Sequence, residues 1–236
     1  MKPYHQIPID ECGEPLVQIP SEHFAFEQPH PYQKLGAPYH NSKADSPYYL
    51  RQGVVDSLLA AQKQLQQHHP DWKIQIFDAY RPVEVQQFMV DYTFAEIAKA
   101  QGCTLPVAED KRQVILEKVY QFWAVPSLDR ATPPPHSTGA ALDINLVDKN
   151  HQPIDMGSPI DEISARSYPD HFANSNDPEA KEYHRRRQVL KDAMTAADFQ
   201  QHPNEWWHFS WGDQMWAWLT NQQQGRSQVM ARYGRC

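Results

Sequence analysis

A chain of 236 residues with a net charge of −7, its acids and bases interspersed, is a poor match for nucleic acid or an anionic membrane surface. It holds no run of about 18 apolar residues, which excludes an expected transmembrane helix. The length suits one domain over 1–236, large enough to bury roughly 70–75% of its unfolded surface without a disulfide framework.

Residues 1–50 are rich in Pro, Tyr and His and keep no sustained period, so they read as an irregular wrapping segment with short strands at most. Residues 52–69 set Val55, Leu58, Leu59, Gln62 and Leu65 near one helical stripe and predict an amphipathic helix. Residues 72–77 alternate and predict a strand, stopped by Tyr80-Arg81-Pro82. Two further helices follow over 83–100 and 109–122. Residues 124–139 form a loop stiffened by Pro133, Pro134 and Pro135.

Residues 140–147 predict a strand with Leu142, Ile144 and Leu146 on one face and Asp143 and Asn145 on the other. Residues 148–177 are long and turn-rich, the kind of irregular segment that usually serves as a binding loop or lid. Asp177-Pro178-Glu179 starts a helix that runs to about Ala196, with an N-cap, Pro at the first position and an acid in the first turn. The aromatic stretch 205–211 reads as a strand. Strands and helices do not alternate strictly. The fold class expected is therefore α+β, a central antiparallel sheet with helices packed mainly on one side.

Chemistry concentrates at His136 and Asp143 of HSTGAALD and at Glu205 and His208 of EWWHF. Two histidines and an aspartate suit Zn²⁺ and leave one coordination position open, the catalytic form of such a site. Gly139 lets the backbone turn closely between the first two. Glu205 and His208 are three residues apart and would face opposite sides of a regular strand, so Glu205 is expected on a turn leading into the strand that bears His208. An unligated glutamate there can move a proton between water and a leaving amine. On composition alone His151, His171 and His202 compete as ligands.

These residues lie within ordered blocks that resemble the VanX-type D-alanyl-D-alanine dipeptidases, zinc peptidases related in fold to the D-Ala-D-Ala carboxypeptidases and the hedgehog domain. The blocks are FDAYRP (77–82), HSTGAALD (136–143), MGSPIDE (156–162) with SARS (164–167), RRRQVLKDAM (185–194) and EWWHF (205–209). The resemblance implies one zinc ion per chain on His136, Asp143 and His208, with Glu205 as general base and then general acid. It implies that Arg81 stabilises charge developing on the scissile carbonyl, and that Asp161 holds the substrate's amino group. The partner implied is a small dipeptide.

One departure stands out. The family's serine two residues before the first zinc histidine is Pro134 here, which has no hydroxyl and no N–H. Thr132, Ser137 or a tyrosine of the N-terminal segment are the candidates to replace it.

Blander readings accompany several of these residues. Arg81 can pair with Asp78, Asp161 can be a turn residue, and Arg185-Arg186-Arg187 reads as a solvated helix face. The competing functions are a carboxypeptidase or amidase on longer cell-wall peptides, and a non-catalytic zinc-binding module. The scattered Cys12, Cys103 and Cys236, with no apolar core in the N-terminal residues, point to the cytoplasm, with the periplasm as the alternative if a leader once preceded the chain.

Overall fold

The structure is a computed structural model that describes residues 2–39, 46–104, 106–225 and 229–236. A five-stranded sheet runs in the order β2-β4-β5-β7-β6, built from Ala25–Phe26, Lys73–Asp78, Ala141–Val147, His208–Ser210 and Gln200–Gln201. Every pairing in it is antiparallel except β2 against β4, where the wrapping segment adds a short parallel edge. Strands β1 (Leu16–Gln18) and β3 (Tyr49–Arg51) form a separate antiparallel ribbon.

The alternation read from the sequence sets the core. Leu142, Ile144 and Leu146 of β5 are fully buried beside Ile74 and Ile76 of β4. Each such side chain contributes about 1.5–3 kcal/mol through burial. The face they form packs against α2 (Gln52–His68) and α5 (Pro178–Thr195), through Val55, Leu58 and Leu65 from one and Leu190 and Met194 from the other. Helix α5 starts as expected, with the Asp177 carboxylate accepting from the Glu179 N–H. Helices α3 (Val83–Ala100) and α4 (Glu109–Phe122) build a second cluster with Tyr32, Tyr39 and Trp123, against which Phe77 packs. None of the described helices is long and apolar enough to cross a membrane.

Four details depart from the sequence expectations. The strand expected over 205–211 is confined to His208–Ser210, because Glu205 to Trp207 turn instead. A helix α6 spans Gln214–Gln224; the Asp213 carboxylate caps its N-terminus and Gly225, at φ +66°, ends it. Residues 1–50 hold a 3₁₀ turn (Pro3–Gln6) and a short helix α1 (Pro31–Lys34) besides their strands.

The fourth correction concerns the arginine run. Arg185 and Arg186 pair with Glu182 at the surface, but Arg187 is 1% exposed. Its guanidinium donates to the carbonyls of Met156 and Tyr168 and to the Ser158 hydroxyl. It therefore pins the 148–177 loop to α5. Trp206 completes that tie, its indole N–H reaching Ser158 and its backbone N–H reaching the Ser167 carbonyl.

Candidate metal centre and active site

Strand pairing brings two of the three expected ligands together. In the β5–β7 ladder Asp143 lies directly opposite His208, a relation that sets their β-carbons about 4.5–5.5 Å apart. The third, His136, sits on the 3₁₀ turn Pro135–Thr138 just before β5. Gly139 closes that turn at φ +69°, and a side chain there would collide with Leu16.

The ligand atoms converge. His136 Nε2 is 3.2 Å from His208 Nδ1 and 3.3 Å from Asp143 Oδ2, and His208 Nδ1 is 3.0 Å from Asp143 Oδ1. Tetrahedral bonds of about 2.0–2.1 Å to one zinc ion require donor separations of about 3.3 Å, so the set fits. The tautomers fit as well. His136 Nδ1 donates to the Ala79 carbonyl at 2.7 Å, leaving Nε2 as the lone-pair donor. His208 Nε2 faces the Ser210 hydroxyl at 3.4 Å, which donates in turn to Asp213 at 2.9 Å. Burial alone would push the Asp143 carboxyl up, yet His136 and His208 hold it well below the usual carboxylate range. The site is ready for a cation. His202 lies beside it, its ring 5.5 Å from that of His208. The metal group formed by the described residues nevertheless comprises His136, Asp143 and His208. His151 and His171 are exposed and away from it.

Glu205 stands on the turn before β7, as its spacing required. Its Oε2 is 3.8 Å from His208 Nδ1, and its buried Oε1 has no hydrogen-bond partner. A buried carboxylate oxygen left without a partner is costly, which marks Glu205 as a group placed for chemistry rather than for stability. Burial, then the charges of Asp143 and Asp161, push the Glu205 carboxyl well above its ordinary value.

Arg81 reconciles its two readings. It pairs with Asp78 and also donates to Asp143 Oδ2 at 3.0 Å, while its Nη1 donates to Gln86 and its guanidinium lies over the rings of Tyr32 and Trp123. A register shift explains why Asp78 can take part. Regular β4–β5 pairing would place Asp78 opposite Leu142 on the core face, but the irregularity between Ile76 and Asp78 places it opposite Asp143. A one-residue slip moves a side chain to the other face.

Asp78 then becomes a hub. It accepts from Arg81, from His30 Nε2 at 3.1 Å and from the Tyr39 hydroxyl at 2.7 Å. From the sequence, Asp78 is expected only as a partner of Arg81, and His30, Tyr32 and Tyr39 are not singled out within the Tyr- and His-rich wrapping segment. The signal available was the density of Tyr and His in the wrapping segment.

Asp161 is brought to the same pocket from the 148–177 loop, at φ +65°, and accepts from the Tyr32 hydroxyl at 2.7 Å. Part of the residue remains open to solvent, but its carboxyl lies deep. Burial, then the charge of Asp143, raises that carboxyl to about 7. The pocket is a narrow cavity of about 40 Å³. Arg81, Glu205, Asp161 and the three metal ligands line it together with Trp123, Trp207, Lys2 and Tyr4. All six predicted site residues are thus gathered in one place. Of the candidates to replace the serine at Pro134, Ser137 donates to the Arg81 carbonyl and Thr132 bonds Ser127. Neither lines the cavity, whereas the third candidate, a tyrosine of the N-terminal segment, is met by Tyr4, which does.

Comparison with known proteins gives the family. Residues 26–229 match the peptidase family M15 described as D-Ala-D-Ala dipeptidase. A D-alanyl-D-alanine dipeptidase of Synechocystis sp. is 50% identical over 242 residues, covering 100% of this chain and 97% of that protein. A D-alanyl-D-alanine dipeptidase of Escherichia coli (strain K12) is 38% identical over 74 residues, 31% of this chain and 36% of that one. Among solved structures, VanYB in complex with D-alanine-D-alanine matches with a TM-score of 0.46 and 18% identity, covering 75% of this chain and 79% of that one. The chain belongs to the M15 peptidase family of D-Ala-D-Ala dipeptidases.

Proposed function

We propose that the protein hydrolyses D-alanyl-D-alanine or a closely similar dipeptide, with His136, Asp143 and His208 holding the zinc ion and Glu205 moving the proton. The observation that carries this reading is the buried, unpartnered Glu205 oxygen beside three converging ligand atoms. Zinc in such a site supplies Lewis acidity, lowering the pKa of water and polarising a carbonyl.

The chain's own residues do the rest. Glu205 accepts the proton of the attacking water. Its raised pKa keeps that proton long enough to be delivered to the amine as the C–N bond breaks. Arg81 is held rigidly by Asp78, Asp143 and Gln86, and its Nη1 bonds only Gln86 among the described residues. A second Nη1 donor remains for the developing oxyanion. Asp161, once ionised, receives the ammonium of the substrate. The cytoplasm is the compartment proposed, because Cys12, Cys103 and Cys236 all stay unpaired in the fold; cell fractionation checks it.

The test is Glu205→Gln in zinc-loaded protein. Turnover of D-alanyl-D-alanine is expected to fall by roughly 10²–10⁴-fold with a full zinc equivalent retained. Near-normal turnover with zinc bound would remove Glu205 from the chemistry.

A further inference from the structure

With Pro134 in place of the family's serine, and with Ser137 and Thr132 bonded elsewhere, the pocket needs another group for the negative end of its substrate. Two side chains on its wall come from the first residues of the chain, Lys2 and Tyr4. The 3₁₀ turn Pro3–Gln6 that carries Tyr4 is docked firmly. Tyr4 is buried, and Gln214 of α6 donates to the Ile7 carbonyl at 2.7 Å and to the Ala131 carbonyl at 3.0 Å. Lys2 immediately precedes this turn and is half-buried. Its ammonium donates to the Tyr120 carbonyl at 2.7 Å, in the last turn of α4.

An ammonium has three donors, and this one uses one of them on a neutral carbonyl. Among the described residues no carboxylate forms an ion pair with it. The cavity is thus charged at two points by groups the hydrolytic chemistry does not use. Asp161 is the anionic group, and Lys2 is a cation without a counter-ion. A dipeptide is a zwitterion with an ammonium at one end and a carboxylate at the other.

We propose that Lys2 is the anchor for the substrate's terminal carboxylate and that, with Asp161, it limits the substrate to two residues. This rests on the dipeptidase reading above and adds a specificity-determining residue from the N-terminal segment. Burial lowers the pKa of Lys2 and the charge of Glu205 opposes that shift, in keeping with an ammonium on the wall of the cavity that Glu205 also lines. The competing role is structural, a lysine that merely caps the C-terminal end of α4. The substrate's own carboxylate separates the two.

The experiment compares zinc-loaded wild type, Lys2→Met and Lys2→Arg on D-alanyl-D-alanine and on D-alanyl-D-alaninamide, which lacks the carboxylate. Wild type is expected to prefer the free acid. Loss of one charge-assisted hydrogen bond in Lys2→Met should raise KM for the acid roughly 10- to 100-fold, with kcat changed by about threefold at most. The amide should lose no more than about twofold in kcat/KM, so that the preference collapses. Lys2→Arg should restore most of it. An equal loss on both substrates, or an undiminished preference for the acid in Lys2→Met, would overturn the anchor while leaving the dipeptidase reading intact. A zinc-loaded wild type that cleaves neither compound would overturn that reading and the anchor with it.

Discussion

The two halves of the site are held in different ways. Asp143 and His208 are fixed by neighbouring strands whose register admits one arrangement, with His136 and Glu205 on the tight turns that lead into those strands. Asp161, Tyr32, Tyr4 and Lys2 come instead from the loop and wrapping segments, which side chains of the sheet and of α5 and α6 dock in place. Arg187 and Trp206 fasten the 148–177 loop, Asp78 fastens the segment bearing His30 and Tyr39, and Gln214 fastens the N-terminal turn. The difference teaches that reaction chemistry is placed by backbone pairing, whereas the groups assigned to substrate recognition sit on parts that a few polar contacts position.

Removing a fastener should therefore damage recognition and leave the metal centre standing. Arg187→Met leaves the Met156 and Tyr168 carbonyls without their donor, while Ser158 keeps that of Trp206, at a cost of about 3 kcal/mol by the usual penalty for unsatisfied buried groups. Denaturant unfolding should show this as a lower midpoint. The folded fraction should keep its zinc but bind dipeptide weakly. Loss of zinc together with stability would erase the distinction between the two halves.

Asp161→Asn should act on recognition alone, raising KM by about tenfold with kcat nearly kept, as expected for the loss of a charged hydrogen bond. Its pH signature sharpens the test. The wild-type carboxyl titrates near 7 and is neutral below that, so binding of a cationic amine should improve as pH rises through about 7. The variant should lack that limb in a profile of kcat/KM against pH. The sign for stability is the reverse. A carboxyl raised from 3.8 to about 7 in the folded state contributes stability that is fully present below 3.8 and lost as pH rises through 7. The zinc-free Asp161→Asn protein should accordingly lose less stability than wild type between pH 5 and about 8.

The smallest effect is expected at Glu182, remote from both halves. Hydrogen bonds from Arg185 and then Arg186, opposed by slight burial, hold it near 2. Its contribution is present above its ordinary 4.5 and lost as pH falls toward 2. Because these pairs are exposed, Glu182→Gln should change neutral-pH stability by less than about 0.5 kcal/mol and leave activity untouched.

What was legible in the sequence follows the same division. Periodicity located α2, α3, α4 and α5 nearly to the residue, and alternation along β5 put Asp143 on the face opposite Leu142 and Ile144. Spacing put Glu205 on a turn. Local patterns carry those facts because hydrogen bonding within a helix or across a strand pair imposes a short repeat.

The irregularity at Phe77, which turns Asp78 into the site, has no such repeat behind it. Nor does the docking of Lys2, Tyr4 and Tyr32, which depends on contacts far apart in the chain. Arg187 was legible in principle. It falls on the stripe Ala180, Arg187, Leu190 and Met194 of α5, and charge patterning masked a position that helical spacing marked as buried. Helix α6 was legible too, from Asp213 at its start and Gly225 at its end, although no element was expected beyond residue 211.

The most direct test of the shared-ion site is zinc stoichiometry after dialysis against a weak chelator, measured on wild type and on His136→Ala, Asp143→Ala and His208→Ala. The expected result is one zinc per wild-type chain and far less than one in each folded variant. Full retention of zinc by any of the three would contradict a single ion held between these side chains.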